Sequence, residues 1–135
     1  LALCMLLRRR FAASQTTFTW ARLFYLHGER EHPARLYPTL HRKLSGGEPM
    51  RLSSGDKLRD FLDVGRAGEL IAALAHSRQA GIVNICSGEA VTIRAIAEAI
   101  ADVYGRRDLL EFGTATVHAR DPEVVVGIPN IRLVL

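Results

Sequence analysis

The chain has 135 residues, 48% hydrophobic and 24% charged, the make-up of one ordinary globular domain with side chains enough for a core, which argues against disorder. Its formal charge of +4 suits an anionic partner, but the arginines and lysines are scattered without interleaved aromatics, so nucleic acid is not expected, whereas a phosphate-bearing small molecule needs only a few of them. The apolar run Leu1 to Leu7 precedes Arg8, Arg9 and Arg10, the reverse of a signal peptide, and is too short to span a bilayer; a cytoplasmic protein without a membrane partner is expected.

Leu1, Leu3, Cys4, Leu7 and Phe11 recur at helical spacing with no capping residue in front, which reads as a helix already under way and hence as a piece of a longer protein. Cys4 and Cys86 lie in unlike contexts, with no paired-cysteine spacing and no histidine at metal-ligand spacing, so both are expected to be buried free thiols and no metal site is expected.

Phe18 to Tyr25 alternates and is rich in threonine and aromatics, which predicts one strand running into a loop at HGEREHP. Leu36, Leu40 and Leu44 predict a helix stopped by Gly46 and Gly47, and MRLSSGDK a short strand and turn. RDFLDV predicts another short strand, with Asp63 as helix N-cap and Val64, Leu70, Ile71 and Leu74 as the apolar stripe of a helix to about Arg78.

GIVNIC has the continuous apolar run of a buried strand. Thr92 is placed to cap a helix whose inner face is Ile93, Ile96, Ala97 and Ile100, and Gly105 to stop it. LLEFGT predicts a short strand, followed by an extended loop through HARDPE and an apolar tail. Helix and strand alternate with no internal repeat, which favours α/β layering.

Three separated motifs in one order, ARLFYLHG, SSGDKLRDFLDV and IVNICSGEAVTI, resemble the C-terminal half of extended short-chain dehydrogenase/reductases of the nucleotide-sugar epimerase/dehydratase kind, and the resemblance covers nearly the whole chain. It implies an α/β fold class, the C-terminal portion of a Rossmann-type enzyme including its small substrate-binding region. Residues 1–135 would then be a single partial domain, with the N-terminal dinucleotide-binding part absent. It also implies a parent enzyme dependent on NAD or NADP, acting on a nucleoside-diphosphate sugar, and of a kind that often forms homodimers.

The family's catalytic Tyr and Lys stand in a YxxxK motif and its pyrophosphate turn in a GxxGxxG motif; the sequence contains neither, so no catalytic residue is assigned here. By resemblance Leu23 and Phe24 lie near the cofactor and Tyr25 and His27 face the sugar, His27 standing where the family usually has tyrosine. Arg35 and Leu36 open the helix whose first amides hold the diphosphate, and Arg59 matches an arginine that reaches the diphosphate or ribose, its planar guanidinium able to take two oxygens at once. Asp121 matches an acidic nucleotide contact, His118 stands where arginine is usual, and Arg120 is placed to substitute. Asp60 is expected to order its turn or pair with Arg59 rather than touch ligand, and Ser87 and Gly88 to serve the architecture. The alternative reading is a stand-alone nucleotide-sugar-binding module without catalysis.

Overall fold

The computed structural model describes residues 2–116 and 121–132. It opens with helix α1 (Ala2–Phe11), whose only buried residue is Cys4, and passes to strand β1 (Thr19–Leu23). The single strand expected to reach Tyr25 is instead broken at Phe24: its amide still bonds Ile85 O at 3.3 Å, but β2 (Tyr25–His27) then leaves to pair elsewhere. That break puts Leu23, Phe24 and Tyr25 at a strand end, where side chains can face a ligand.

Helix α2 (Leu36–Ser45) ends at Gly46 with Gly47 at φ 72°, as the double glycine predicts. Strands β3 (Met50–Arg51), β4 (Leu58–Arg59) and β5 (Phe61–Asp63) follow. Helix α3 (Val64–His76) begins with the Asp63 carboxylate accepting from Arg66 N, as its position predicts. Its buried residues are Ala67 and Leu74, whereas Val64 and Ile71, expected in the apolar stripe, are 40% and 41% exposed. The helix is turned so that a small residue, Ala67, meets the sheet.

Strand β6 (Gly81–Ile85) lies parallel to β1 in register from Thr19 opposite Gly81 to Leu23 opposite Ile85. It is less deeply buried than its apolar run suggests: Val83 and Ile85 are fully covered, but Ile82 and Asn84 only in part. β7 (Val91–Thr92) leads into α4 (Ile93–Tyr104), where Thr92 Oγ1 caps Ala95 N and Gly105 closes in the left-handed region at φ 63°. The inner face of α4 is Ile96, Ala97, Ile100 and Ala101, with Ile93 half-buried. A 3-10 turn at Arg107–Leu109, β8 (Leu110–Glu111) and β9 (Val124–Val125) complete the described residues.

The strands form small parallel pairs, β1 with β6, β2 with β5 and β3 with β8, plus a three-stranded set in which β4 is central between antiparallel β7 and parallel β9. Two clusters make the core. One gathers Leu40 and Leu44 of α2, Met50 and Leu52, and Ile96 and Ile100 of α4; the other packs Leu62, Ala67 and Leu74 on Val83 and Ile85. Both cysteines are free and buried, as expected. Among the described residues no helix is long and apolar enough to cross a membrane.

Candidate functional site

In open α/β sheets ligands bind beyond the carboxyl ends of parallel strands. The carboxyl end of β1 opens there into a hollow of about 410 Å³ lined by Arg22, Leu23, Phe24, Tyr25, Arg35 and Val125. Four of the residues singled out from the sequence therefore converge. Leu23 is 53% exposed, an apolar side chain left at the rim.

Arg35 reaches the same hollow from the other side as the N-cap residue of α2, where no side chain caps the first amides. Its Nε meets Glu31 Oε1 at 3.2 Å, which fixes one edge of a guanidinium that is otherwise half-exposed. An unpaired helix start beside a held guanidinium is a favourable place for an anionic group. Leu36 is half-buried and packs against the first core cluster.

His27 faces a different hollow, of about 390 Å³, shared with Glu31, Tyr37 and His41. Its ring stacks on Tyr37 with centroids 4.4 Å apart. A row of rings links the two hollows, Tyr25 to Phe61 at 5.4 Å and Phe61 to Tyr37 at 5.2 Å. Burial, and then the Glu31 carboxylate, push the Tyr37 phenol above the ordinary tyrosine range.

Arg59 sits behind Tyr25, its Cζ 5.7 Å from the ring centroid, and is only 4% exposed. Its Nη1 donates to Leu58 O and Glu123 O, and its Nη2 to Pro122 O and to Asp121 Oδ1, the last two at 2.8 Å. Lys57, equally buried, donates from Nζ to Asp121 O at 2.8 Å and Asp121 Oδ2 at 2.9 Å. The Lys57 hydrogen bond and the neighbouring Arg59 charge hold the Asp121 carboxyl below the usual carboxylate range against some desolvation. Arg120 and His118 lie outside the described residues.

Asp60 orders its surroundings and does not pair with Arg59. It is fully buried, and its carboxylate accepts from Ser87 N, Ser87 Oγ, Gly88 N and Gly127 N at 2.7–3.1 Å. Burial alone would raise its pKa, but these four donors outweigh it and leave the group below the usual carboxylate range. One side chain thus ties the turn after β6 and the segment after β9 to β4, so Ser87 and Gly88 serve the architecture, as the sequence suggested.

A family model described as the NAD dependent epimerase/dehydratase family matches residues 1–86. The chain belongs to that family. No curated protein sequence matches it. Among solved structures, it is similar to the UDP-glucose 4-epimerase of Thermus thermophilus in complex with NAD, at 23% identity and TM-score 0.81, over 95% of this chain and 43% of that one. It is similar to the UDP-N-acetylglucosamine 4-epimerase of Methanobrevibacter ruminantium in complex with UDP-N-acetylmuramic acid, at 20% identity and TM-score 0.83, over 95% and 42%. It is also similar to the Bordetella bronchiseptica enzyme WbmG in complex with NAD and UDP, at 26% identity and TM-score 0.71, over 90% and 39%. The chain spans well under half the length of each.

As an epimerase/dehydratase family member the chain has the Rossmann-type α/β fold class expected from its motifs. Sequence reasoning named neither Lys57, Arg22 nor Val125. For Lys57 a signal existed, a lysine two residues before Arg59 and hence on the same side of an extended segment. Val125 reaches the hollow only because β9 pairs with β4 across more than sixty residues of chain, which no local pattern announces.

Proposed function

We propose that the chain is the substrate-binding part of an NAD(P)-dependent nucleotide-sugar epimerase, dehydratase or reductase and is inactive alone. The observation that carries this reading is the hollow at the carboxyl end of β1, where Leu23, Phe24, Tyr25 and Arg35 meet. Leu23 and Phe24 offer an apolar wall suited to the face of a nicotinamide ring, while Arg35 and the open start of α2 suit the diphosphate of a nucleoside-diphosphate sugar. Tyr25 and His27 would serve the sugar side, with Leu36 presenting its amide and Arg59, Arg120 and Asp121 serving the nucleotide. The cofactor supplies hydride transfer when bound; what these residues supply is binding and orientation.

In this reading residues 1–135 are one partial domain, the end of the cofactor-binding fold plus the substrate-binding region, and the acid/base pair and the glycine-rich turn belong to sequence the chain does not contain. The parent is a cytoplasmic enzyme, a homodimer, with no nucleic-acid or membrane partner. Titration calorimetry of the chain with UDP-glucose and with NAD tests the reading. Saturable UDP-glucose binding weakened by Arg35→Ala, with no epimerisation, is expected; tight binding of NAD alone, or turnover by the chain, would contradict it. A stand-alone nucleotide-sugar-binding module is the second reading. An in-frame start codon just before the codon for Leu1 would favour it.

A further inference from the structure

The Glu31 carboxylate in the second hollow is only half satisfied. Its side chain is 9% exposed, Oε1 meets Arg35 Nε at 3.2 Å, and Oε2 is buried with no hydrogen-bond partner among the described residues. A charged oxygen held out of water without a donor is destabilising, so one that lines a hollow calls for a donor from outside the chain. The loop sets it there. Glu31 N bonds back to Gly28 O at 3.4 Å, and Arg30 between them is held at φ 62°, the one non-glycine residue at positive φ among those described.

Charge selects the kind of donor. The Arg35 side chain that pairs with Glu31 is 52% exposed, so water screens its charge far more than that of the carboxylate. Arg30 also lines the hollow, but it is exposed and screened in the same way. The field of the carboxylate persists inside: after burial, it is what pushes the Tyr37 phenol up. The other polar groups of the hollow are the Tyr37 hydroxyl and the rings of His27 and His41, which accept hydrogen bonds when neutral. His41 Nδ1 is engaged by the Tyr104 hydroxyl at 2.9 Å, which leaves Nε2 for another partner. An ammonium brings three donors and a positive charge to one anionic oxygen flanked by neutral acceptors, whereas a hydroxyl brings one donor and no charge.

We propose that this hollow is a second binding site, which takes the primary ammonium group of a small molecule with Glu31 Oε2 as the charged acceptor and His27, Tyr37 and His41 as the wall. Its volume of about 390 Å³ lies at the small end of ligand pockets, which suits a molecule of about monosaccharide size. It shares no lining residue with the hollow at the end of β1, so binding here needs no nucleotide there and stands or falls apart from the nucleotide-sugar reading.

The test follows the ring resonances of His27 and Tyr37 in the whole chain near neutral pH while glucosamine, ethanolamine, glucose or N-acetylglucosamine is added. Both amines are expected to shift these resonances saturably, and the two uncharged sugars to bind at least about tenfold more weakly than glucosamine. Glu31→Gln keeps the side chain's size and removes its charge, and should weaken glucosamine about tenfold or more. Arg35→Gln leaves the same carboxylate without its partner and should bind glucosamine more tightly, a gain that a merely structural role for Glu31 would not give. Resonances that neither amine moves, glucose or N-acetylglucosamine binding as tightly as glucosamine, or unchanged affinity in Glu31→Gln overturns the proposal. If Glu31→Gln fails to fold, Arg35→Gln and the comparison of charged with uncharged sugars decide. Glucosamine binding more tightly than ethanolamine assigns the ammonium to an amino sugar and equal binding assigns it to a small aliphatic amine, and either result upholds the site.

Discussion

Asp60 Oδ2 accepts from Gly127 N at 3.1 Å, a bond between residues 67 positions apart that pins the segment after β9 against the junction of β4 and β5. The same oxygen takes Gly88 N at 2.9 Å, and Oδ1 takes both the amide and the hydroxyl of Ser87. Asp60→Ala leaves three backbone amides, the buried one of Gly127 among them, without this acceptor. A loss of about 3 kcal/mol or more is expected, read as a lower midpoint in urea unfolding. A loss below about 1 kcal/mol would mean that water replaces the carboxylate at this point.

Acid sensitivity follows from the same residue. The Asp60 carboxyl titrates below its unfolded value because its four donors outweigh the penalty of burial, and Asp121 does so because of Lys57 and Arg59. A depressed folded pKa contributes stability above the unfolded pKa of about 4 and loses it as pH falls through the folded value. The chain should hold its stability from about pH 7 down to about 5 and lose it steeply below about 4. In Asp60→Asn that acid limb should be shallower, and unfolding curves collected at several pH values would show whether it is.

Gly127 illustrates how much of the architecture escapes a local reading. A Cβ there would lie 2.5 Å from both Cβ and Sγ of Cys86 and 3.1 Å from Phe24, so the backbone of this segment runs directly over the end of β6. Gly127→Ala is expected to destabilise by about 2 kcal/mol or more through overpacking. Thermal unfolding would check it, and an unchanged midpoint would show that the segment can lift away.

Much of the local structure was legible because single residues carried it. Asp63 and Thr92 cap α3 and α4, and Gly46 with Gly47 and Gly105 end α2 and α4. The motifs around ARLF, RDF and NICSG also gave the family. What could not be read was long-range: the departure of β2 from β1 at Phe24, the exposure of Ile71 once Ala67 faces the sheet, and the pairing of β9 with β4. Each depends on which surface arrives from elsewhere in the chain. The same reason separates His27 from Tyr25, two residues apart in sequence yet lining different hollows.

Tyr37 offers a spectroscopic check on the second hollow. Burial first, and the Glu31 carboxylate second, raise its pKa, and Glu31 Oε2 is buried without a hydrogen-bond partner among the described residues. Glu31→Gln should lower the Tyr37 pKa without returning it to the ordinary value, because the burial remains. Assigned ring resonances followed through an alkaline titration measure this. A Tyr37 pKa unchanged in Glu31→Gln would show that the carboxylate does not act on the phenol.

The exposed face of α1 sets how the chain behaves at high concentration. Leu3, Met5 and Leu6 are 58%, 65% and 65% exposed, while the arginines that follow lie in the last turn. Three large apolar side chains exposed on one ten-residue helix favour association. Sedimentation velocity should therefore show a weight-average mass that rises with concentration, and Leu3→Lys with Leu6→Lys should return it towards the mass of one chain. Since both side chains are more than half exposed, the double substitution should leave the unfolding midpoint nearly unchanged; a large fall would place α1 among the elements that hold the fold together.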